Sequence, residues 1–309
     1  MALNATEKIW FNGKLVPWGE AKVHVVSHAL HYGSSVFEGV RCYKTPKGSA
    51  IFRGLDHMKR LLASAKVYRM PLNYSAEALL KAAKETVAAN KLDECYVRPI
   101  AFYGYGSMGV NPAGASFDVA IACWPWGAYL GDEGLRKGIR VTISSWRRID
   151  SQILPGAAKA GGNYLNSLLA KMDAVAHGFD EAVLLNLQGK VAEGSGENIF
   201  VVKDGRLCTP PLSAGVLDGI TRNSVIVLAQ ELGIPFAERE LSREDLFLAD
   251  EVFFTGTAAE VTPVREVDGR VVGGGSRGPV TEKLQTAFFD VVKGKNAKFF
   301  KWLDYVKRA

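Results

Sequence analysis

The 309-residue chain has few of the residues that staple or metallate small proteins, with only four cysteines and five histidines. Cys42, Cys95, Cys123 and Cys208 form no CxxC pair and have no histidine at ligand spacing. Neither a metal site nor a disulfide framework is therefore expected, and a reducing, cytoplasmic setting follows. His24, His28, His31, His57 and His177 are scattered, and the i, i+3 pair in "SHALHYG" is read as structural. No apolar run is long enough to span a bilayer, and "MALNATEKIWFNGK" holds no apolar signal core, so no membrane partner is expected. Charge of one sign is not concentrated either: the net +6 comes from 38 basic residues interleaved with 32 acidic ones, unlike a nucleic-acid footprint. The basic residues from Lys293 onward alternate with Phe299, Phe300 and Trp302 and read as a closing amphipathic segment. No internal repeat or low-complexity segment is found.

What is there is apolar content of 48%, ample for two cores in a chain of this length. "IWFNGKLV" predicts two short strands around an Asn12-Gly13 turn, and "SSVFEGVRCYK" with "AIFR" a second strand pair. Helices are predicted from Asp56, as cap, to about Tyr68 and from Ser75 to about Asn90. The strands "CYVRPIAFYG" and "FDVAIACWPW" complete an α+β domain over 1–124, with an interdomain loop at 125–137 and a second domain over 138–309. In that second half, strands are predicted at "IRVTISSW", "EAVLLNL", "GENIFVV", "GRLCTP" and "DEVFFTGTAAEVTPV". Helices are predicted at Tyr164–His177, at "GITRNSVIVLAQELG" and from about Gly278.

Three stretches carry chemistry. In "GAAKAGGNYLNSLLA", Lys159 stands among Gly and Ala, which leave room for a bulky group to approach its amine. Burial lowers a lysine from its free value of about 10.4 and makes it a nucleophile toward an aldehyde. "VAEGSGENIF" places Glu193 and Glu197 in a loop or bulge, where either carboxylate suits a protonated pyridine nitrogen. "DGITRNSV" puts Gly219 before a helix whose first residues, Ile220 and Thr221, offer N–H groups and a hydroxyl to an anion; "TGTAAE" is a second loop of that kind.

Taken together, "SHALHYGSSVFEGVRCY", "HMKRLLASAK", "YVRPI", "GSMGVNP", "AAKAGGNYLNSLL", "EGSGENIF", "LDGITR" and "GTAAEVTPV" resemble the class IV, fold-type-IV pyridoxal phosphate aminotransferases. The likeness is strongest to the bacterial branched-chain amino acid aminotransferases and runs from about Trp10 to Trp302. It implies a two-domain α+β enzyme with a smaller N-terminal layered domain and a larger, β-barrel-like C-terminal domain carrying helices. The implied reaction is reversible transamination of L-leucine, L-isoleucine and L-valine with 2-oxoglutarate.

By that resemblance Lys159 is the Schiff-base lysine and the acid and base of the proton transfer. Glu193 pairs with the pyridine nitrogen, with Glu197 as fallback, and Tyr164 binds the phenolic oxygen. Arg60, Ile220, Thr221 and Thr257 hold the phosphate. Tyr96 and the N–H groups of Thr257 and Ala258 hold the substrate α-carboxylate, while Gly39 leaves space for the side chain. Phe37, Tyr32, Trp126, Tyr129 and Tyr164 supply an apolar pocket, and Arg98 with Tyr32 and Tyr129 meets the second carboxylate of 2-oxoglutarate. Met108 and Val110 belong to a loop that completes the pocket of a neighbouring subunit, which makes a homodimer the minimum unit and leaves a hexamer open. Runners-up of the same fold are a D-amino acid aminotransferase and an aminodeoxychorismate lyase. From other classes stand a pyridoxal-free Schiff-base lyase and a non-catalytic basic binding protein.

Overall fold

The structure, a computed structural model, describes residues 3–127 and 131–307. The chain divides into two compact units: Met1–Trp126 with Ala158–Gly162 and Val291–Ala309, and Gly127–Ala157 with Asn163–Asp290. The expected division into 1–124, a loop at 125–137 and 138–309 differs from this in its boundary, which falls between Trp126 and Gly127, and in two segments. The tail leaves the second domain because Leu303–Tyr305 is a strand pairing with Gly48–Phe52, and Ala158–Gly162 leaves it because that segment is bonded to Gly33–Phe37.

The first unit is a mixed layer. The hairpin β1 (Lys8–Phe11) and β2 (Lys14–Pro17) turns at Asn12 and Gly13, both in the left-handed region with φ of 46° and 95°. There follow α1 (His28–Tyr32), β3 (Ser35–Phe37), β4 (Val40–Thr45), β5 (Gly48–Phe52), α2 (Gly54–Val67), α3 (Ala76–Ala89), β6 (Cys95–Tyr103) and β7 (Phe117–Trp124). The sheet runs from the C-terminal strand through β5, β4, β6, β7 and β1 to β2, with β3 also on β6. The strand expected through "SSVFEGVRCYK" is split at Glu38-Gly39, although Phe37↔Ile100 and Val40↔Val97 share one register. Pro99, opposite the break, has no N–H to give the ladder. Ser75, where the second helix is expected to begin, is the N-cap of α3, its hydroxyl accepting from Ala78 N at 3.1 Å. Asp56 does not cap α2, which begins two residues earlier; its carboxylate accepts from Arg53 Nε at 2.6 Å.

Alternation along the strands gives this sheet two different faces. One carries Val40, Cys42, Cys95, Val97, Ile121 and Cys123 into the core with Leu61 and Leu79 of the helices. The thiols of Cys42 and Cys123 lie within hydrogen-bonding reach of Cys95, so cysteines distant in sequence share this core. The other face carries Phe37, Tyr96, Arg98 and Trp124.

The second unit comprises α4 (Gly131–Lys137), β8 (Ile139–Arg147), α5 (Tyr164–Ala176), β9 (Glu181–Leu185), β10 (Val191–Gly194), β11 (Asn198–Lys203), β12 (Arg206–Thr209), α6 (Ile220–Glu231), β13 (Phe236–Glu238), α7 (Arg243–Phe247), β14 (Glu251–Gly256), β15 (Glu260–Val267), β16 (Arg270–Val271) and α8 (Pro279–Val292). Pairings β8–β9, β9–β10, β10–β11, β11–β14, β14–β15 and β15–β8 close a barrel. Val141, Val183, Val191, Ile199, Val201, Phe254 and Val264 are buried in one core with it. Of the loop or bulge expected around Glu193 and Glu197, the bulge is present, as a register shift between Val191 and Glu193 where β10 pairs with β9; β10 itself is a buried strand that closes the ring, followed by a short turn into β11. The segment expected as an interdomain loop holds α4.

Candidate active site

The small residues around Lys159 have a backbone role. Phe37 N donates to Lys159 O at 3.0 Å, Gly161 N to Ser35 O at 2.8 Å and Gly162 N to Gly33 O at 3.1 Å. A Cβ on Gly161 would meet Ser35 Oγ at 2.3 Å, and one on Gly33 would meet Gly162 Cα at 2.9 Å. The glycines thus let the lysine segment lie flat against β3, a reason different from the room for a bulky group expected from sequence. Lys159 N also donates to Ser64 Oγ at 3.0 Å, and its Nζ stands 5.0 Å from the centre of the Phe37 ring.

Ser64 shares one face of α2 with His57 and Arg60, at i, i+3 and i+7. That face meets Glu38, a fully buried carboxylate. Arg60 donates to it twice, Nε to Oε1 at 2.7 Å and Nη2 to Oε2 at 2.8 Å, and His57 donates from Nδ1 to Oε2 at 2.7 Å. Burial pushes the Glu38 carboxyl up, but Arg60 and His57 outweigh it and hold it far below the carboxylate range. Burial holds His57 below its ordinary value against the pull of Glu38, so it is a neutral donor and the ion pair proper is Glu38 with Arg60. Sequence reasoning missed Glu38 and gave His57 no specific partner; two polar groups on the buried side of an amphipathic helix were the available signal.

On the face of the first sheet away from α2 and α3, the structure brings Phe37, Tyr96, Arg98 and Trp126 together. The Arg98 guanidinium lies 4.9 Å from the Phe37 ring centre and 5.2 Å from that of Tyr96, and its Nη2 donates to Tyr96 Oη at 3.2 Å. Tyr96 and Trp126 are edge to face at 4.4 Å. Gly39 makes room for the Tyr96 hydroxyl, since a Cβ would stand 1.9 Å from Tyr96 Oη and would displace it. Tyr129 lies outside the described residues.

Met108 and Val110 are exposed, Val110 at 83%, on a loop held from α1. Tyr32 Oη donates to Met108 O at 2.8 Å. His28 Nε2 reaches Gly109 O at 2.9 Å and must donate there, so its Nδ1 accepts from Ser34 Oγ at 2.7 Å when the ring is neutral. The structural reading of the "SHALHYG" histidines agrees with this contact.

In the second unit, Glu193 on β10 is buried and surrounded by donors. Arg148 Nε is 2.9 Å from Oε1, while Asn198 Nδ2 and Leu217 N donate to Oε2 at 3.0 and 3.1 Å. This is the acceptor-only pattern of a carboxylate. Arg148 was not foreseen, since nothing in the "SSWRR" stretch distinguishes it from its neighbour.

Glu197, also buried, is different. Burial pushes its carboxyl up to about 8, helped by Glu181 and Glu193 and opposed by Gly196 N–H and Lys171. The folded chain therefore keeps a proton that the unfolded chain releases above the usual 4.5, and stability falls as pH rises from there to about 8. Glu197→Gln is expected to flatten that fall, gaining about 2–4 kcal/mol at pH 8 relative to pH 5. Urea unfolding at the two pH values measures it, and parallel pH dependence in wild type and variant would rule the assignment out.

Gly219 is the N-cap of α6, which has no side-chain cap, and Ile220 and Thr221 are its buried first residues. A Cβ on Gly219 would strike Asn198 Oδ1 at 1.9 Å. Thr257 and Ala258 lie in the β14–β15 turn after Gly256, where a Cβ would touch Glu197 Cγ at 3.4 Å. Tyr164 opens α5 directly after the lysine segment. Taken one by one, the Lys159 amine of the first unit, and the donor-ringed Glu193 and the N-terminus of α6 in the second, have the chemistry that the carbonyl, ring nitrogen and phosphate of pyridoxal phosphate require.

A model of the amino-transferase class IV family matches residues 35–267. The branched-chain-amino-acid aminotransferase of Escherichia coli K12 is 53% identical over 309 residues, covering 100% of both chains. The crystal structure of an Escherichia coli branched-chain amino acid aminotransferase superposes with a TM-score of 0.96 at 54% identity, over 98% of this chain and 100% of that one. The branched-chain amino acid aminotransferase from Thermobaculum terrenum in its PLP-form gives 0.92 at 35% identity, over 98% and 99%.

Proposed function

The chain belongs to the class IV aminotransferases, and we propose that within them it is a branched-chain amino acid aminotransferase using pyridoxal 5'-phosphate. It moves the amino group reversibly between L-leucine, L-isoleucine or L-valine and 2-oxoglutarate, giving the branched-chain 2-oxo acids and L-glutamate. The observation that carries this reading is the end-to-end likeness to enzymes of that name.

Bound pyridoxal phosphate supplies an electrophilic carbonyl and an electron-withdrawing ring. Lys159 holds the carbonyl end and, once freed, takes the proton from the substrate Cα and returns it on the other side of the exchange, as an amine tethered beside that bond can do. Glu193 would pair with the ring nitrogen, a role that its three donors support by fixing the carboxylate. Tyr164 would hold the phenolic oxygen; Arg60, Ile220, Thr221 and Thr257 would hold the phosphate. Tyr96 with the N–H groups of Thr257 and Ala258 binds the α-carboxylate. Phe37, Trp126 and the space kept by Gly39 receive the aliphatic side chain, and Arg98 with Tyr32 binds the distal carboxylate of 2-oxoglutarate.

A homodimer is the working unit in this reading, with Met108 and Val110 reaching the pocket of the second copy. An apolar stripe on α5, Leu165, Leu168, Met172 and Val175, is exposed at helical spacing and supports a second copy as its cover. A cytoplasmic setting belongs to the same reading, supported by four buried free thiols. No described helix is long and apolar enough to cross a membrane.

The test is the visible absorption of the holoenzyme during titration with L-leucine and, separately, D-alanine. Bleaching by L-leucine alone is expected. Bleaching by D-alanine alone moves the chain to the D-amino acid branch, and a protein that takes up no pyridoxal phosphate overturns the reading.

A further inference from the structure

Arg98 has no carboxylate partner among the described residues, and its Nε is buried without a hydrogen-bond acceptor. Its charge is instead faced by three rings: Phe37 at 4.9 Å, Tyr96 at 5.2 Å and Trp124 at 5.9 Å. The third ring belongs to none of the pocket roles assigned to Phe37, Tyr96 and Trp126. Strand register explains how it gets there. Trp124 on β7 is directly opposite Tyr96 on β6, while the residue opposite Arg98 is Ala122. Alanine leaves the guanidinium open space on its own rung, and the indole two residues along lies within reach of it.

We infer that Trp124 is a specificity-determining positioning residue, which holds the Arg98 guanidinium between aromatic faces and so favours substrates with a distal carboxylate. The inference rests on the reading that Arg98 binds that carboxylate. An aromatic face attracts a cation and displaces water from it without neutralising it, so the charge stays available to an incoming anion. A carboxylate partner from the protein would fill that need and weaken the site. Indole has the strongest ring quadrupole of the three aromatic side chains, which suits it to the task. Trp124 also lies 5.3 Å from Tyr96 and 6.0 Å from Trp126, but those two rings pack edge to face on each other at 4.4 Å without it. Its effect is confined to one class of substrate: 2-oxoglutarate and glutamate use the cation, whereas leucine, isoleucine and valine do not.

The experiment measures dissociation constants of two unreactive acids, glutarate and 4-methylvaleric acid, on the holoenzyme, together with KM and kcat for 2-oxoglutarate and 4-methyl-2-oxopentanoate. Trp124→Leu is expected to weaken glutarate and raise the 2-oxoglutarate KM about 5-fold. The 4-methylvaleric acid constant and kcat should change by less than about 2-fold, because the group lost acts on the cation alone. Trp124→Phe, with a weaker quadrupole, should fall between wild type and Trp124→Leu, and it carries the test if the leucine variant does not fold. Equal weakening of both acids, or of neither, overturns the inference by reducing Trp124 to packing. Arg98→Met separates the two levels: if it leaves glutarate binding unchanged, the assignment of Arg98 fails and the role of Trp124 falls with it. If glutarate binding is lost in Arg98→Met but unchanged in both Trp124 variants, only the role of Trp124 is overturned.

Discussion

Lys159→Ala is expected to lower turnover by at least about 10⁴-fold, because in the proposed reading it removes in one step the covalent anchor and the group that moves the proton. The loss should be chemical and not structural. The contacts that seat this segment on β3 and α2 are made by backbone: Lys159 N on Ser64 Oγ, Lys159 O under Phe37 N, and the two glycine N–H groups on Gly33 and Ser35. The half-buried side chain adds its approach to the Phe37 ring, a contact worth about 1 kcal/mol and too little to unfold the chain. Single-turnover assays with L-leucine, paired with thermal unfolding, make the comparison. Activity within about a hundredfold of wild type would overturn the role of Lys159, and a collapsed melting transition would show that the backbone account is wrong.

Glu38→Gln carries the second large effect, on stability and on the cofactor together. Glu38 is wholly buried and the Arg60 side chain is only 14% exposed, so water does little to screen the pair. Breaking such a pair from one side leaves a guanidinium poorly compensated and costs about 3 kcal/mol. The pH dependence has a definite sign. Since Glu38 is held below its unfolded value, its contribution is present above the usual carboxylate range and is lost as pH falls through and below it. The variant should therefore be less stable than wild type at pH 7 and converge on it in acid. Arg60, no longer forked, should also lose its fixed direction, and on the proposal that it holds the phosphate, retention of pyridoxal phosphate on dialysis should weaken about tenfold. Urea unfolding between pH 4 and 7 and fluorescence of the dialysed protein report the two effects; an unchanged acid limb would exclude the ion pair as their source.

Much of this was legible where the signal is local. Asn12-Gly13 dictates a hairpin, Ser75 caps a helix, and Gly219 precedes one, each through the backbone geometry its own side chain permits. Lys159 stood out because its neighbours are so small, although the glycines proved to serve a strand contact. What was not legible is set by distant segments. Glu38 reads as one polar residue between two glycine-broken strands until α2 brings Arg60 and His57 to it. Arg148 gains meaning only when β9 brings the end of β8 to Glu193 on β10, and β10 is recognisable as a strand only because the ring needs it. The fate of the last residues was hidden for the same reason, since a three-residue strand declares itself by its partner.

That partner has a consequence for how the chain is made. The first unit draws Ala158–Gly162 from mid-chain and Val291–Ala309 from the end, while most of the second lies between. On a ribosome, the sheet that begins at Lys8 cannot gain its last edge strand until Leu303–Tyr305 has left the exit tunnel, whereas every strand of the barrel has emerged by Val267. The half begun first is thus finished last. Its β5 edge waits unpaired through the synthesis of about 250 residues, which at roughly 5–20 residues per second is some tens of seconds of exposure to other unpaired edges.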